Sequence, residues 1–122
     1  MILGVGTDII EISRIEEGIE RNERFLQRIF TEREIEFFKL KNFKSESIAG
    51  SFAAKEAVSK SLGTGIRGFS FRDIEILRDE LGKPYVEVSE NIIKLISSQK
   101  FSFNLSISHN KTTAIAFVVL EG

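Results

Sequence analysis

Apolar and polar side chains alternate without a break from Phe101 to Ser108, F-S-F-N-L-S-I-S. Successive side chains of a strand point to opposite faces, so this segment reads as a strand with one buried face. His-Asn-Lys then turns the chain into A-I-A-F-V-V-L, residues 114–120, apolar on both faces and expected to be a central strand. Residues 2–12 place Ile2, Gly4, Gly6, Asp8, Ile10 and Ile12 on one face and Leu3, Val5, Thr7 and Ile9 on the other. Both faces are largely apolar, so this strand is expected to be central as well. Asp73 to Leu77 and Tyr85 to Val88 flank D-E-L-G-K-P, whose Gly82 and Pro84 suit a bend, and together they predict a hairpin.

Elsewhere the period lengthens to that of a helix. Ser13 with Glu16, and Thr31 with Glu34, have the spacing of a capping box, and Phe30 with Ile35 supplies a hydrophobic staple across the second. Helices are therefore expected from about 14 and 32, with a short segment over Phe25 to Ile29 between them. A polar break, Lys41 to Ser47, leads into a helix containing F-A-A-K-E-A-V-S-K-S-L-G-T-G, residues 52–65. At about 100° per residue, Ile48, Phe52, Val58 and Leu62 fill one sector and Ala49, Ala53 and Ala57 an adjoining one. Ser89 is placed to cap a short helix carrying Ile92, Ile93, Leu95 and Ile96. The order of elements predicts a single domain, 1–122, of the α+β class: a mainly antiparallel sheet packed with a long central helix.

Composition narrows the function. A chain of 122 residues buries roughly 65–70% of its unfolded surface and needs no staples. The absence of cysteine excludes disulfides, thiolate zinc sites and cysteine nucleophiles. A formal net charge of −1, with 29% charged residues, supplies no global field toward nucleic acid or membrane, so electrostatic recognition must be local. The opening apolar run is too short and lacks the basic flank of a signal peptide, and no later run approaches a membrane span. The expectation is a soluble cytoplasmic protein.

Against that background a few charged positions stand out. Glu56 and Lys60, four apart, fall roughly 40° from one another in the alanine sector. They read either as an ordinary surface pair contributing about 0.3–0.5 kcal/mol or as groups presented to a ligand. Lys55 lies in the bulky sector, where its stem can snorkel to water. Asp8 interrupts a two-sided apolar strand and must be paired, hydrogen-bonded or bound to a cation. It either caps the following helix or meets Glu56 to hold Mg²⁺, which takes few protein carboxylates and keeps waters and substrate phosphates as its other ligands. Gly63-Thr64-Gly65 suits a left-handed helix stop. A helix C-terminus repels phosphate, so any phosphate held there leans on Lys60. His109, the single histidine, sits at a hairpin mouth, as surface decoration or as part of a site. Arg14, Arg21, Arg24 and Arg28 would share one stripe if their helix runs on, but Glu16, Glu17, Glu20 and Glu23 interleave, so the stripe also reads as a solvated face.

The segments G-T-D-I-I-E-I-S-R-I, F-T-E-R-E, F-A-A-K-E-A-V-S-K-S-L-G-T-G-I, D-I-E-I-L-R-D-E-L-G-K-P-Y and S-I-S-H, in that order, resemble the bacterial holo-acyl-carrier-protein synthases over nearly the whole chain. These are the short, stand-alone 4′-phosphopantetheinyl transferases. The resemblance implies their fold and a Mg²⁺-dependent transfer of 4′-phosphopantetheine from coenzyme A to a serine of apo acyl carrier protein, releasing adenosine 3′,5′-bisphosphate, in fatty acid biosynthesis. It further implies a homotrimer with active sites between subunits. By motif, Asp8 and Glu56 would hold the metal and Lys60 would contact coenzyme A phosphates, making these three the catalytic set. Gly63, Thr64, Gly65 and His109 would line the nucleotide across an interface, and Pro84 would border the cleft. Arg14 falls in the segment resembling the carrier-docking helix, with Arg21, Arg24 and Arg28 as further candidates.

One position departs from the pattern. Gly50-Ser51-Phe52 stands where members often have arginine before the aromatic residue. If that arginine ordinarily meets a coenzyme A phosphate, another cation would have to take its place here, Arg67 or Lys111 being candidates. Two other functions remain compatible with the residues: a Mg²⁺-dependent hydrolase of a pyrophosphate-containing nucleotide, and a non-catalytic trimer that binds coenzyme A.

Overall fold

A computed structural model describes all 122 residues, Met1–Gly122. The chain runs β1 (Ile2–Glu11), α1 (Ile12–Arg21), α2 (Phe25–Ile29), α3 (Glu32–Leu40), α4 (Ser45–Ser61), a 3₁₀ turn (Phe71–Asp73), β2 (Ile74–Arg78), β3 (Pro84–Val88), α5 (Glu90–Ile93), β4 (Ser102–His109) and β5 (Thr113–Glu121). The strands form an antiparallel three-stranded sheet, ordered β1-β5-β4, and a separate β2-β3 hairpin. The α+β class and the long central helix agree with expectation. No helix is long and apolar enough to cross a membrane.

β5 is central, as its two apolar faces predict, but β1 lies at the sheet edge. Its even face is covered by α4, while Val5 and Ile9 on the odd face are 51% and 67% exposed. They continue into Ile115 and Phe117 of β5, whose register pairs Ile9 with Ile115 and Thr7 with Phe117. The apolar character of β1 on both faces thus reflects one face buried within the chain and one left open.

Two caps differ in outcome. Thr31 and Glu34 close the expected box, the Thr31 hydroxyl accepting from the Glu34 amide and the Glu34 carboxylate accepting from the Thr31 amide. At Ser13 no box forms, because the helix begins one residue earlier, at Ile12 after Glu11, with no side-chain cap. Ile12 and Ile15 are buried, so core packing sets this helix start in place of capping chemistry. Ser89 is the N-cap residue of α5, yet its hydroxyl donates to Asp73 Oδ1 instead of accepting from the helix. Asp73 itself belongs to the 3₁₀ turn, not to the strand. Nor does α1 run on into α2: it stops at Arg21, and α2 begins at Phe25, so Arg14, Arg21, Arg24 and Arg28, all exposed, do not share one helical stripe.

α4 lies between two apolar clusters. Ala53, Ala54, Ala57 and Val58 pack with Ile74, Ile76, Ile92, Ala116 and Val118, and Ile48 and Ala49 pack with Ile12, Ile15, Phe30, Phe38 and Ala114. With apolar neighbours on nearly every side, the bulky sector has no route to water. Lys55, expected to snorkel, is fully buried. Its ammonium donates to the carbonyls of Ile29, Phe71 and Ile74 at 2.9, 2.8 and 2.6 Å. It also meets Glu34 Oε1 at 2.6 Å, and Glu34 is equally buried. Glu34 Oε2 in turn accepts from the Ile76 amide at 3.0 Å. One ammonium thus ties α4 to α2, α3, the 3₁₀ turn and β2. Burial pushes the Lys55 pKa down and the Glu34 pKa up, each partly offset by the opposite charge.

Removing one member of such a pair strands its partner's charge in a dry interior, at a cost of about 3–5 kcal/mol. Lys55→Met is therefore expected to lower the unfolding free energy by about that amount in urea denaturation. Lys55→Met combined with Glu34→Gln is expected to recover part of the loss, since no buried charge is then left unpaired.

Candidate active site

The position of Asp8 follows from two glycines before it. A Cβ on Gly4 would come within 1.8 Å of the Ser61 carbonyl oxygen, and one on Gly6 within 1.8 Å of that of Ala57. Strand and helix backbones are therefore in direct contact, and they run antiparallel, two strand residues matching one helical turn. Asp8, next on the same face, meets the flank of α4 that carries Glu56 and Lys60.

Lys60 does not pair with Glu56. Its ammonium reaches across to β1, donating to the Thr7 carbonyl at 3.0 Å and to Asp8 Oδ1 at 3.2 Å. The Asp8 side chain is 17% exposed and that of Lys60 51%. Asp8 therefore does not cap α1; its partner is the half-exposed ammonium of Lys60. Glu56 has no hydrogen-bonded or ionic partner among the side chains. Its pKa is raised above 4.5, first by burial and then by the charge of Asp8, against a smaller opposing effect of Lys60. Two neighbouring carboxylates, the charge of Asp8 raising the proton affinity of Glu56, with a single lysine beside them, form a locus short of positive charge. This donor set fits a hard divalent cation that binds few protein oxygens and retains waters or phosphate oxygens. No third His, Cys, Asp or Glu joins them in an all-protein cage.

Beyond Lys60, α4 ends as its glycines predict. Gly63 and Gly65 have φ of +82° and +64°, and the Gly63 and Gly65 amides donate to the carbonyls of Lys60 and Ser59. Those amides are used within the helix end, and the Thr64 hydroxyl donates to the Gly65 carbonyl at 2.9 Å. The exposed edge of this turn adjoins Lys60 directly.

His109 and Pro84 are not brought to this locus. His109 is paired with Ala114, and Asp8 with Ala116 two strands away, which sets their backbones roughly 12 Å apart. Gly50 at one end of α4 packs near Ile107 and Ala57 lies on Gly6, so the helix crosses the face between them. Instead His109 lines a cleft with Lys41, Ser47, Gly50 and Arg78. Pro84 is the ladder partner of Arg78. Sequence reasoning missed Lys41 and Arg78: Lys41 lies in the polar break, Arg78 in the hairpin segment read only for its strands and turn, and both reach the cleft from elements distant in sequence. Ser51 is buried in α4, and its hydroxyl is without a hydrogen-bond partner.

Comparison with known proteins relates the chain as a whole to one family. A family model described as the 4′-phosphopantetheinyl transferase superfamily matches residues 4–118. A holo-acyl-carrier-protein synthase of Clostridium beijerinckii is 57% identical over 121 residues, spanning 99% of this chain and 98% of the relative. The crystal structure of Helicobacter pylori holo-acyl-carrier-protein synthase in complex with coenzyme A superposes with a TM-score of 0.86 at 40% identity, covering 96% of this chain and 99% of that one. The enzyme of the same name from Neisseria meningitidis superposes with a TM-score of 0.88 at 40% identity over the full length of both chains.

The raised pKa of Glu56 has a consequence for stability. A carboxyl whose folded pKa exceeds its unfolded value binds more protons in the folded state, so it contributes a loss of stability as pH rises through that window. In protein stripped of divalent ions with a chelator, Glu56→Gln is expected to melt above wild type at pH 8. The gap is expected to close as pH falls toward 4.5, where the wild-type carboxyl is itself neutral. Melting temperature against pH for the two proteins reads this directly.

Proposed function

The chain belongs to the 4′-phosphopantetheinyl transferase superfamily, and from that premise we propose that it transfers the 4′-phosphopantetheine arm of coenzyme A to a serine of apo acyl carrier protein. The observation that carries this reading is the meeting of Asp8, Glu56 and Lys60 across the β1–α4 contact. Full-length similarity to named synthases, one of them solved with coenzyme A, supports it.

The chemistry asks for position and charge neutralisation more than for covalent help. The serine oxygen forms a bond to the phosphorus that bears the pantetheine arm, the bond from that phosphorus to the bridging oxygen breaks, and adenosine 3′,5′-bisphosphate leaves. Asp8 and Glu56 are the residues that would hold Mg²⁺, which when bound neutralises charge on the pyrophosphate. Lys60, whose half-exposed ammonium lies on Asp8 and the Thr7 carbonyl, would contribute its charge to binding the phosphates. Glu56, with its raised proton affinity, is the group that takes the serine proton, directly or through one water.

The same reading has the chain act in the cytoplasm, in fatty acid biosynthesis, as a homotrimer. The open apolar face of β1 and β5, with Val5, Ile9, Ile115 and Phe117, is what a second copy would cover. Trimerisation would also bring the His109 cleft of one subunit, with Pro84 paired to Arg78 beside it, toward Asp8 and Glu56 of the next. The exposed Arg14 on α1 would meet an acidic carrier, with Arg21, Arg24 and Arg28 presented from a broken surface instead of one stripe.

Mass spectrometry of apo acyl carrier protein incubated with the protein, Mg²⁺ and coenzyme A is expected to show a phosphopantetheine adduct. Asp8→Ala and Glu56→Gln are expected to lower its rate of appearance at least about 100-fold, within the range of lost metal or acid–base contributions. Hydrolysis of coenzyme A with no adduct would favour a hydrolase, and binding without turnover a non-catalytic module. Separately, Arg14→Glu is expected to raise KM for the carrier several-fold while leaving KM for coenzyme A in place, as initial rates against each substrate will show.

A further inference from the structure

Two lysines of α4 meet carboxylates, and they meet them differently. Lys55 and Glu34 are both fully enclosed, 2.6 Å apart, with three carbonyls completing the ammonium. Lys60 stands half in water, its side chain 51% exposed, and lies 3.2 Å from Asp8 Oδ1. A charge-assisted contact between an ammonium and a carboxylate normally closes to about 2.7–2.9 Å. The Asp8 contact is longer than that, and longer than the 3.0 Å bond from the same ammonium to the neutral Thr7 carbonyl. A pair so exposed weights an equilibrium by no more than about 5-fold. It is a hold that another cation can break.

The carboxylates decide which cation that is. Glu56 has no ionic partner, and Asp8 is close enough for its charge to act on Glu56. No arginine or second lysine is paired with either carboxylate. Two negative groups against one ammonium suit a divalent cation, and any such cation that takes Asp8 competes with Lys60 for the same oxygen. Lys60 has a second anchor, the Thr7 carbonyl on the edge strand β1, so losing Asp8 does not cast it loose. An ammonium has three N–H donors, and one kept on Thr7 leaves two for an incoming anion.

We propose that Lys60 is a built-in competitor for the divalent cation at Asp8, and that cation and coenzyme A bind cooperatively because each relieves the same Lys60–Asp8 pair. With Asp8 taken by the cation, Lys60 is left uncommitted. With Lys60 drawn to the coenzyme A phosphates, Asp8 is left open. Such coupling is reciprocal: the factor by which coenzyme A tightens the cation is the factor by which the cation tightens coenzyme A. It adds to the direct attraction between cation and phosphates, which needs no lysine. This rests on the transferase reading for the identity of the anionic ligand, but not for the competition at Asp8.

Two titrations of the full-length protein test this. In the first, Mn²⁺ binding is followed by electron paramagnetic resonance with and without coenzyme A, after subtracting Mn²⁺ bound to free coenzyme A. Lys60→Met is expected to bind Mn²⁺ alone about 2- to 5-fold more tightly than wild type. It is also expected to lose the same factor from the ratio of Mn²⁺ affinities with and without coenzyme A. Lys60→Arg, which keeps the charge, is expected to return both toward wild type. An unchanged Mn²⁺ affinity in Lys60→Met, or an unchanged ratio, overturns the proposal.

The second titration needs no metal. In chelator, Asp8→Asn is expected to tighten coenzyme A by about 2- to 5-fold, because Lys60 is released. Against a Lys60→Met background that gain is expected to disappear. An equal gain in both backgrounds means that Asp8 acts on coenzyme A by repulsion alone, and overturns the proposal. If wild type binds no coenzyme A even with Mn²⁺, the transferase reading fails and Mn²⁺ alone decides. Tighter Mn²⁺ binding in Lys60→Met then upholds the competition at Asp8, whereas no tightening, or no Mn²⁺ bound by either protein, rejects it.

Discussion

The direct backbone contact between β1 and α4 is the constraint on which the rest depends. Gly4 and Gly6 let the carbonyl oxygens of Ser61 and Ala57 occupy the space that any side chain would fill. At that distance the strand and helix cannot slide past one another, because every other register opposes a side chain to the helix backbone. Asp8 is the first residue after the glycines with a side chain on this face, and it emerges where Lys60 can reach both its carboxylate and the preceding carbonyl. The electrostatics of the site therefore follow from a steric fact two residues away.

The other flank of the same helix shows how burial divides chemically similar groups. Lys55 and Glu56 are consecutive, about 100° apart around α4. Lys55 enters a dry interior and is satisfied there by three carbonyls and Glu34, which makes it a structural bolt. Glu56 is only partly buried, close enough to Asp8 to feel its charge and without a fixed side-chain partner. One charged residue is fully provided for by the fold, and its neighbour is left to be completed by something that binds. This difference in satisfaction, not charge or sequence context, separates the two roles. The same distinction sets Arg33, spent on Glu75 and Glu87, apart from Arg78, which stands over the Phe37 ring without a carboxylate partner.

Much of the fold is legible in the amino-acid order. Alternation locates β4 and β5, the Thr31–Glu34 spacing locates the start of α3, and the alanine-rich pattern locates α4, since each depends only on residues near in sequence. The failures are of another kind. Ser13 carries good capping chemistry that packing of Ile12 and Ile15 overrides. β1 reads as central because apolar side chains look alike whether covered by the same chain or left for another. The arginine stripe requires a helix to continue through Asn22 to Arg24, where it breaks.

The amino-acid order thus determined the local conformations, the α+β class and the candidate residues Asp8, Glu56 and Lys60, through short-range periodicity, turn chemistry and motif spacing. Which charges are buried, which are paired and which stay available was decided only by tertiary structure. Satisfaction of a charged group depends on atoms brought from far along the chain: Glu34 to Lys55 across 21 positions, Lys60 to Asp8 across 52, Arg78 to Phe37 across 41. Such contacts have no period for a linear pattern to record, so the same lysine that reads as a solvent-seeking side chain becomes a fully enclosed ammonium once the chain closes around it.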